Sequence, residues 1–379
     1  SDFAFSLSQP LLRNAGRRAN TAAIRIASYN EQASEARTKL EVIRQLAAVD
    51  RSYWLLYAAR KTLEVRQQQY ELASDQLERA KRRVRAQIAA EIEVTRAESG
   101  LADKLEAIIL AQNDVLTQQR ELKRIINEPG LPIETRTLVI PSTSPDPVEF
   151  TFSPPELVAK ALDNRMEMLE LELQLAADAA TIGVEKNRAL PLLSLDYSYR
   201  LNGLGGSTQD SYKLLRDGDY QDWTVGLSAE IPLDNEEARA RVRQAILARL
   251  QRLASKEARR LAITQDVLAA TDQIDAAWQR ILASRQAVVL STRTLQAEQR
   301  QFDVGRSTST NVLDAATRLA DAQLAEIRAL TDYQTAQVDL AFATGTLLGA
   351  SKVSFEPEPS PDHRQATPTE ELPPAVRAP

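Results

Sequence analysis

The chain has 379 residues, a formal net charge of −5 and no cysteine, which excludes a disulfide framework, a thiolate nucleophile and a cysteine-based metal site. Acids and bases are interleaved, so no basic face of the kind a nucleic acid requires is formed. Few glycines and aromatics, with abundant Ala, Leu, Arg, Glu and Gln, make the mixture of long helices or coiled coils, and no apolar run is long enough for a transmembrane helix.

The chain opens on SDFAFSLSQPLL. Phe3, Phe5 and Leu7 alternate with Ala4, Ser6 and Ser8, the period of a strand over 2–12, with Pro10 at its exit. So abrupt an opening reads as the interior of a longer chain, with any targeting segment upstream. Between Arg17 and Arg83 there is neither Pro nor Gly, and Leu55, Ala59, Leu63, Tyr70, Leu77 and Val84 recur at helical spacing. A helix of that span is roughly 100 Å long. A second run from Ala90 to Asn127 completes a helical hairpin over 17–127. Residues 128–154 are Pro-rich, with a short extended piece at Thr137–Ile140. A helix is expected over 155–188, capped by Ser153 with prolines in its first turn.

Two more strands follow. Over 191–201, Leu193, Leu195, Tyr197, Tyr199 and Leu201 share one face, and Ser194, Asp196, Ser198 and Arg200 the other. Over 222–232, Trp223, Val225, Leu227, Ala229 and Ile231 oppose Thr224, Gly226, Ser228 and Glu230, and Pro232 closes the strand. A polar loop, 202–221, joins the two. A second hairpin is expected over 235–348, one helix reaching Phe302 and the other starting at Thr310. At its turn Gly305 suits a helix stop that needs positive φ. Ser307, Thr308, Ser309 and Thr310 can cap the next helix. Residues 350–379 are rich in Pro, Glu and Ser, read as a disordered tail, and carry the only histidine, His363.

Strand, long helix, turn and shorter helix thus occur twice. The helices align without a gap at a constant offset of 218 positions, pairing Val49 with Val267, Leu77 with Leu295, Val94 with Val312 and Asp103 with Asp321. The alternating strands fit either a half-buried sheet or a β-barrel wall with lipid outside and water inside. Eleven residues at about 3.3 Å each and a tilt near 45° rise roughly 25 Å, close to an outer membrane's apolar band. Trp223, Tyr197 and Tyr199 are then interfacial anchors. Three strands close no barrel, and hairpins of about 100 Å exceed a compact domain, so a barrel implies an oligomer.

In its most specific stretch, FDVGRSTSTNVLDAATRLADAQLAEIRALTDYQTAQVDLAFATGTLL, the chain resembles the TolC family of outer-membrane efflux proteins. The first-repeat stretch RRVRAQIAAEIEVTRAESGLADKLEAIILAQNDVLTQQRELKRIIN resembles the matching turn and helix, and LSQPLL and LPLLSLDYSY resemble the family's strands. The resemblance implies a mainly α fold with membrane β-strands. Three copies share a 12-stranded outer-membrane β-barrel and a hollow periplasmic α-barrel of helical hairpins. It also implies that a further strand and a preceding helix lie upstream of Ser1. The function implied is a passive conduit of tripartite efflux or type I secretion, working with a periplasmic adaptor and an inner-membrane pump, and exporting drugs among other cargo.

The same resemblance places the channel's narrowest point at the hairpin turns. Asp314 matches an acidic position that would set three carboxylates around a narrow pore, favouring cations. Asp314 equally fits a helix N-terminus, where the dipole favours an acid. One helical turn earlier, where the family often has a second acid, stands Asn311. Glu93 matches another acid at the first-repeat turn, Phe302 stands where the prototype has a Tyr, and Gln87 occupies the first-repeat counterpart of Gly305. Arg82, Arg83 and Arg306 are candidates for adaptor docking, although helix-dipole complementarity alone explains basic residues at the end of the first long helix.

The expected division is therefore a first repeat, 1–127, an equatorial loop and helix, 128–188, a second repeat, 189–349, and the tail. With no Cys, one tail His, no phosphate-binding glycine loop and no nucleophile elbow, an enzyme is not expected, nor a metal or cofactor. The alternative is a periplasmic adaptor or helical scaffold, since adaptors also carry long hairpins. Two hairpins with barrel-type strands favour the channel.

Overall fold

The computed structural model describes residues 2–355, so His363 and the expected tail beyond residue 355 lie outside the described residues. In chain order the elements are β1 (Asp2–Pro10), α1 (Arg17–Asn20), α2 (Ala22–Arg85), α3 (Ile92–Ile126), α4 (Pro154–Asn164), α5 (Met166–Arg188), β2 (Leu192–Asn202), α6 (Thr208–Asp217), β3 (Gln221–Glu230), α7 (Glu236–Asp303), α8 (Ser309–Ala343) and α9 (Leu347–Ala350). The two longest helices have 64 and 68 residues, close to 100 Å each at about 1.5 Å per residue. Each folds back on its partner, α2 on α3 and α7 on α8, and α2 also runs against α8 and α5.

The seams between these helices are built from small side chains. Ala33, Ala36, Ala47, Ala59, Ala73 and Ala80 are buried along α2 at spacings that are sums of three- and four-residue steps, which lets backbones approach closely. The largest cluster lies where the second hairpin meets α4 and α5. Ile263, Val267, Ile274 and Ile281 of α7 pack there on Tyr333, Ala336 and Leu340 of α8, with Ala161 and Met168 completing the cluster. Tyr333 is fully buried, and its hydroxyl donates to the Val148 carbonyl, tying the 128–153 segment to the hairpin.

Three expectations need correction. The helix expected over 155–188 is two helices, because Arg165 is extended at φ −71°, ψ 127°. Its buried guanidinium binds Glu167 and Asp266, at 3.0 Å for the latter, and lies over the Phe342 ring. Ser153 does precede α4, but its side chain caps nothing; its carbonyl accepts from Glu156 and Leu157 instead. The polar loop over 202–221 contains α6, started by Ser207, whose Oγ accepts from the Asp210 amide, and stopped by Gly218 at φ 71°. The short piece Thr137–Ile140 joins no sheet and needs no correction; the Gln119 amide holds it, donating to the Thr137 carbonyl at 2.9 Å and accepting from the Val139 amide at 3.3 Å.

The last long helix also ends earlier than its expected limit near 348. Gly345 takes φ 70° and packs on Asn164, where a Cβ would lie 3.0 Å from the Asn164 Cβ. The chain breaks there before α9.

The strands form one antiparallel sheet in the order β1-β2-β3. The register sets Phe5 beside Tyr199 and Tyr199 beside Trp223, and Leu7 beside Tyr197 and Tyr197 beside Val225. On the other face Ser6, Ser198 and Thr224 are in line, as are Ser8, Asp196 and Gly226. One face is therefore apolar and the other polar across all three strands.

Candidate functional site: the hairpin turns and the two-faced sheet

Both hairpin turns end their first helix in the same way. At the first, Ala86, Gln87 and Ile88 amides donate to the carbonyls of Arg82, Val84 and Arg83. At the second, Val304, Gly305 and Arg306 amides donate to those of Arg300, Phe302 and Gln301. This is the bonding of a helix stopped by one left-handed residue. That residue is Gly305 at φ 79° in one turn and Gln87 at φ 60° in the other. A non-glycine side chain in that region costs about 1–2 kcal/mol, so Gln87 adopts the glycine-like geometry under strain.

The Ser and Thr cluster after Gly305 divides its work. Thr308 caps α8, its side chain accepting from the Asn311 amide. Ser307 Oγ donates to Glu298 at 2.7 Å and accepts from the Asn311 side chain at 3.2 Å. Ser309 is buried and accepts from Gln76 Nε2 at 2.9 Å. Of the four residues expected to cap, only Thr308 does so.

Phe302 is buried against Leu295, Val312 and Ala315, and the Arg83 guanidinium stacks 4.4 Å from its ring centre. Arg79 faces Asp303 at 3.6 Å, and Lys104 donates to Thr317 at 3.3 Å. With Gln76 and Ser309, these contacts join the first hairpin to the second just above the turns. Sequence spacing gave no sign of them, since their partners lie far apart along the chain. Glu93 pairs with Arg96 at 3.0 Å on its own helix. Asp314 is exposed, without an ion-pair or hydrogen-bond partner among the described residues, one helical turn beyond exposed Asn311. Arg82 and Arg306 are exposed at the turns, beside Ile88 and Val304, whose side chains are 69% and 70% exposed.

On the sheet, Trp223 is 69% exposed, and Phe3, Phe5, Leu7, Val225 and Leu227 share its open face. Tyr197 packs edge-on against Phe5 at 6.5 Å, and the Tyr199 hydroxyl donates to Gln221. The opposite face is hydrogen-bonded across strands, with Asp196 accepting from Ser8 at 2.5 Å and Ser228 at 2.6 Å. An apolar face this large facing outward needs a cover or an apolar solvent. No helix of the described residues is long and apolar enough to cross a membrane. No group of three or more His, Cys, Asp or Glu residues among them is placed to hold a metal ion.

The model of the outer membrane efflux protein family matches residues 157–346. This chain belongs to that family. It is 25% identical over 301 residues to the outer membrane protein TolC of Vibrio cholerae, covering 79% of this chain and 67% of the relative. Its fold is similar to that of a membrane protein from Pseudomonas aeruginosa, with a TM-score of 0.72 at 18% identity over 91% of this chain and 83% of the other. It is also similar to the CmeC outer membrane channel of Campylobacter jejuni, with a TM-score of 0.71 at 14% identity over 92% and 78%. As a member of the family the protein is an outer-membrane efflux channel with a long periplasmic helical part, a conduit and not an enzyme. The adaptor and scaffold readings are not favoured.

Proposed function

We propose that three copies of this chain assemble into one passive duct from periplasm to exterior. The observation that carries this reading is the sheet. One face is apolar and exposed, the other polar, and both outer strands have an unpaired edge. Edges of that kind are removed by closure into a barrel. In a 12-stranded barrel shared by three protomers, the apolar face meets lipid and the polar face lines water. Trp223, Tyr197 and Tyr199 anchor it at the interface.

The hairpins of about 100 Å then form the periplasmic α-barrel. A two-fold repeat, 1–127 and 189–349 around an equatorial 128–188, accounts for the matching turns, because Gln87 and Gly305 stand at the same offset as the helices. The turns are the periplasmic entrance. Unpartnered, exposed Asp314 supplies the carboxylate of a three-fold ring, with Asn311 beside it and Glu93 at the neighbouring turn. Phe302, under Arg83, holds the two hairpins together at that end rather than reaching the pore. Exposed Arg82, Arg306, Ile88 and Val304 form the surface that meets a periplasmic adaptor and, through it, an inner-membrane pump of an efflux or type I secretion system.

Planar-bilayer recording tests the entrance. The protein should give discrete cation-preferring conductance blocked by multivalent cations, and Asp314→Ala should relieve that block. Equal block in variant and parent removes Asp314 from the pore.

A further inference from the structure

Just above the turns, the seam between the hairpins encloses a narrow slot. Gln69, Leu72 and Gln76 of α2, Lys104 of α3, Phe302 of α7 and Thr317 of α8 are among its walls. Its volume is about 50 Å³, room for roughly three water molecules but far below a drug-sized pocket.

Gln69 is only 6% exposed, and its Nε2 has no hydrogen-bond partner among the described residues. Its Oε1 accepts from Arg66 at 2.9 Å, so the donor Nε2 is the buried, unpaired end of the amide. A buried donor of this kind is costly unless something accepts from it. The walls also tell what lies opposite. Gln76 bonds Ser309 across the seam. From that bond α2 and α8 both lead away from the turns, and equal steps along them bring Gln69 level with Ala316 and Thr317, two residues of the slot. Thr317 Oγ1 accepts from Lys104, so its own proton remains available to a further acceptor.

We propose that the slot is a hydration site, in which a small cluster of ordered water accepts from Gln69 Nε2 and carries the hydrogen bonding across the seam to Thr317 and Lys104. Water suits both walls, since it accepts from the amide and from the hydroxyl and also donates. The site depends only on how the two hairpins pack, and it stands apart from the roles given to Asp314 and the docking surface.

The sign of a stability change tests it. Gln69→Leu keeps the bulk and removes the donor; it also removes the acceptor of Arg66, so Arg66→Met, which removes that bond alone, is the reference against which its midpoint is read. In a hydrated slot the leucine leaves the waters without their anchor, and the thermal midpoint falls by about 2–4 °C. In a dry slot the same change removes an orphaned donor, and the midpoint is unchanged or rises. Should Gln69→Leu not fold, Gln69→Met gives the same comparison. A crystal structure of the unmodified protein, at a resolution that shows water, should place a water within about 3.2 Å of Gln69 Nε2. A dry slot, a direct bond from Gln69 to Asp75 or Gln299, or an unchanged or raised midpoint overturns the proposal.

Discussion

Gln87 and Gly305 do the same work with different side chains. Both stop a long helix in the left-handed region and donate to the carbonyl three residues back. Gly305 was legible, because glycine before a Ser/Thr cluster signals a stop and a restart. The positive φ of Gln87 was not, because nothing in a glutamine announces it. Gln87→Gly should relieve the strain and stabilise the fold by up to about 1 kcal/mol, after the flexibility that glycine adds to the unfolded chain is subtracted. Chemical denaturation of variant and parent measures it. Arg83 and Phe302 were each singled out, but their stacking was hidden by the length of chain between them. Arg83→Ala should cost about 0.5–1 kcal/mol as the cation leaves the ring. Because this contact joins the hairpins, the variant should also conduct more in a bilayer, and unchanged conductance would detach the contact from the entrance.

Among the elements, the periodic ones were legible and the interruptions were not. Alternation set the strands within one or two residues, and the absence of Pro and Gly marked the long helices. The break between α4 and α5 had no such mark. Its cause is a buried arginine that leaves the helix to reach two carboxylates on different helices. Helix α6 was readable in principle from Ser207, Asp210 and Gly218, but its polarity made it look like loop.

The Arg165 cluster makes stability depend on pH. Burial pushes the Glu167 carboxyl up, but the Arg165 hydrogen bonds and charge outweigh it and hold the group below the usual carboxylate range. A carboxylate depressed in the folded state contributes fully above its unfolded value of about 4.3, and the contribution is lost as pH falls through the folded value. The thermal midpoint should therefore fall on acidification below about pH 4. Glu167→Gln should lower it at neutral pH and flatten that fall, as thermal denaturation across pH 3–6 would record.

For the whole molecule, the two-faced sheet and paired long helices leave few alternatives to a duct, and both were visible in the residue pattern. What the pattern could not supply was the seam between the hairpins, because helical periodicity fixes a buried face without naming its partner. Arg82→Glu with Arg306→Glu should leave the oligomer intact and abolish drug resistance in cells that depend on the channel; full resistance would show that the adaptor docks elsewhere.

We propose that three chains close one barrel in the outer membrane. Cross-linking the protein in isolated outer membranes and reading its mass tests this most directly. A species of three protomers is expected in that fraction. A monomer, or a soluble periplasmic species, would contradict it and leave the sheet's apolar face to be covered in another way.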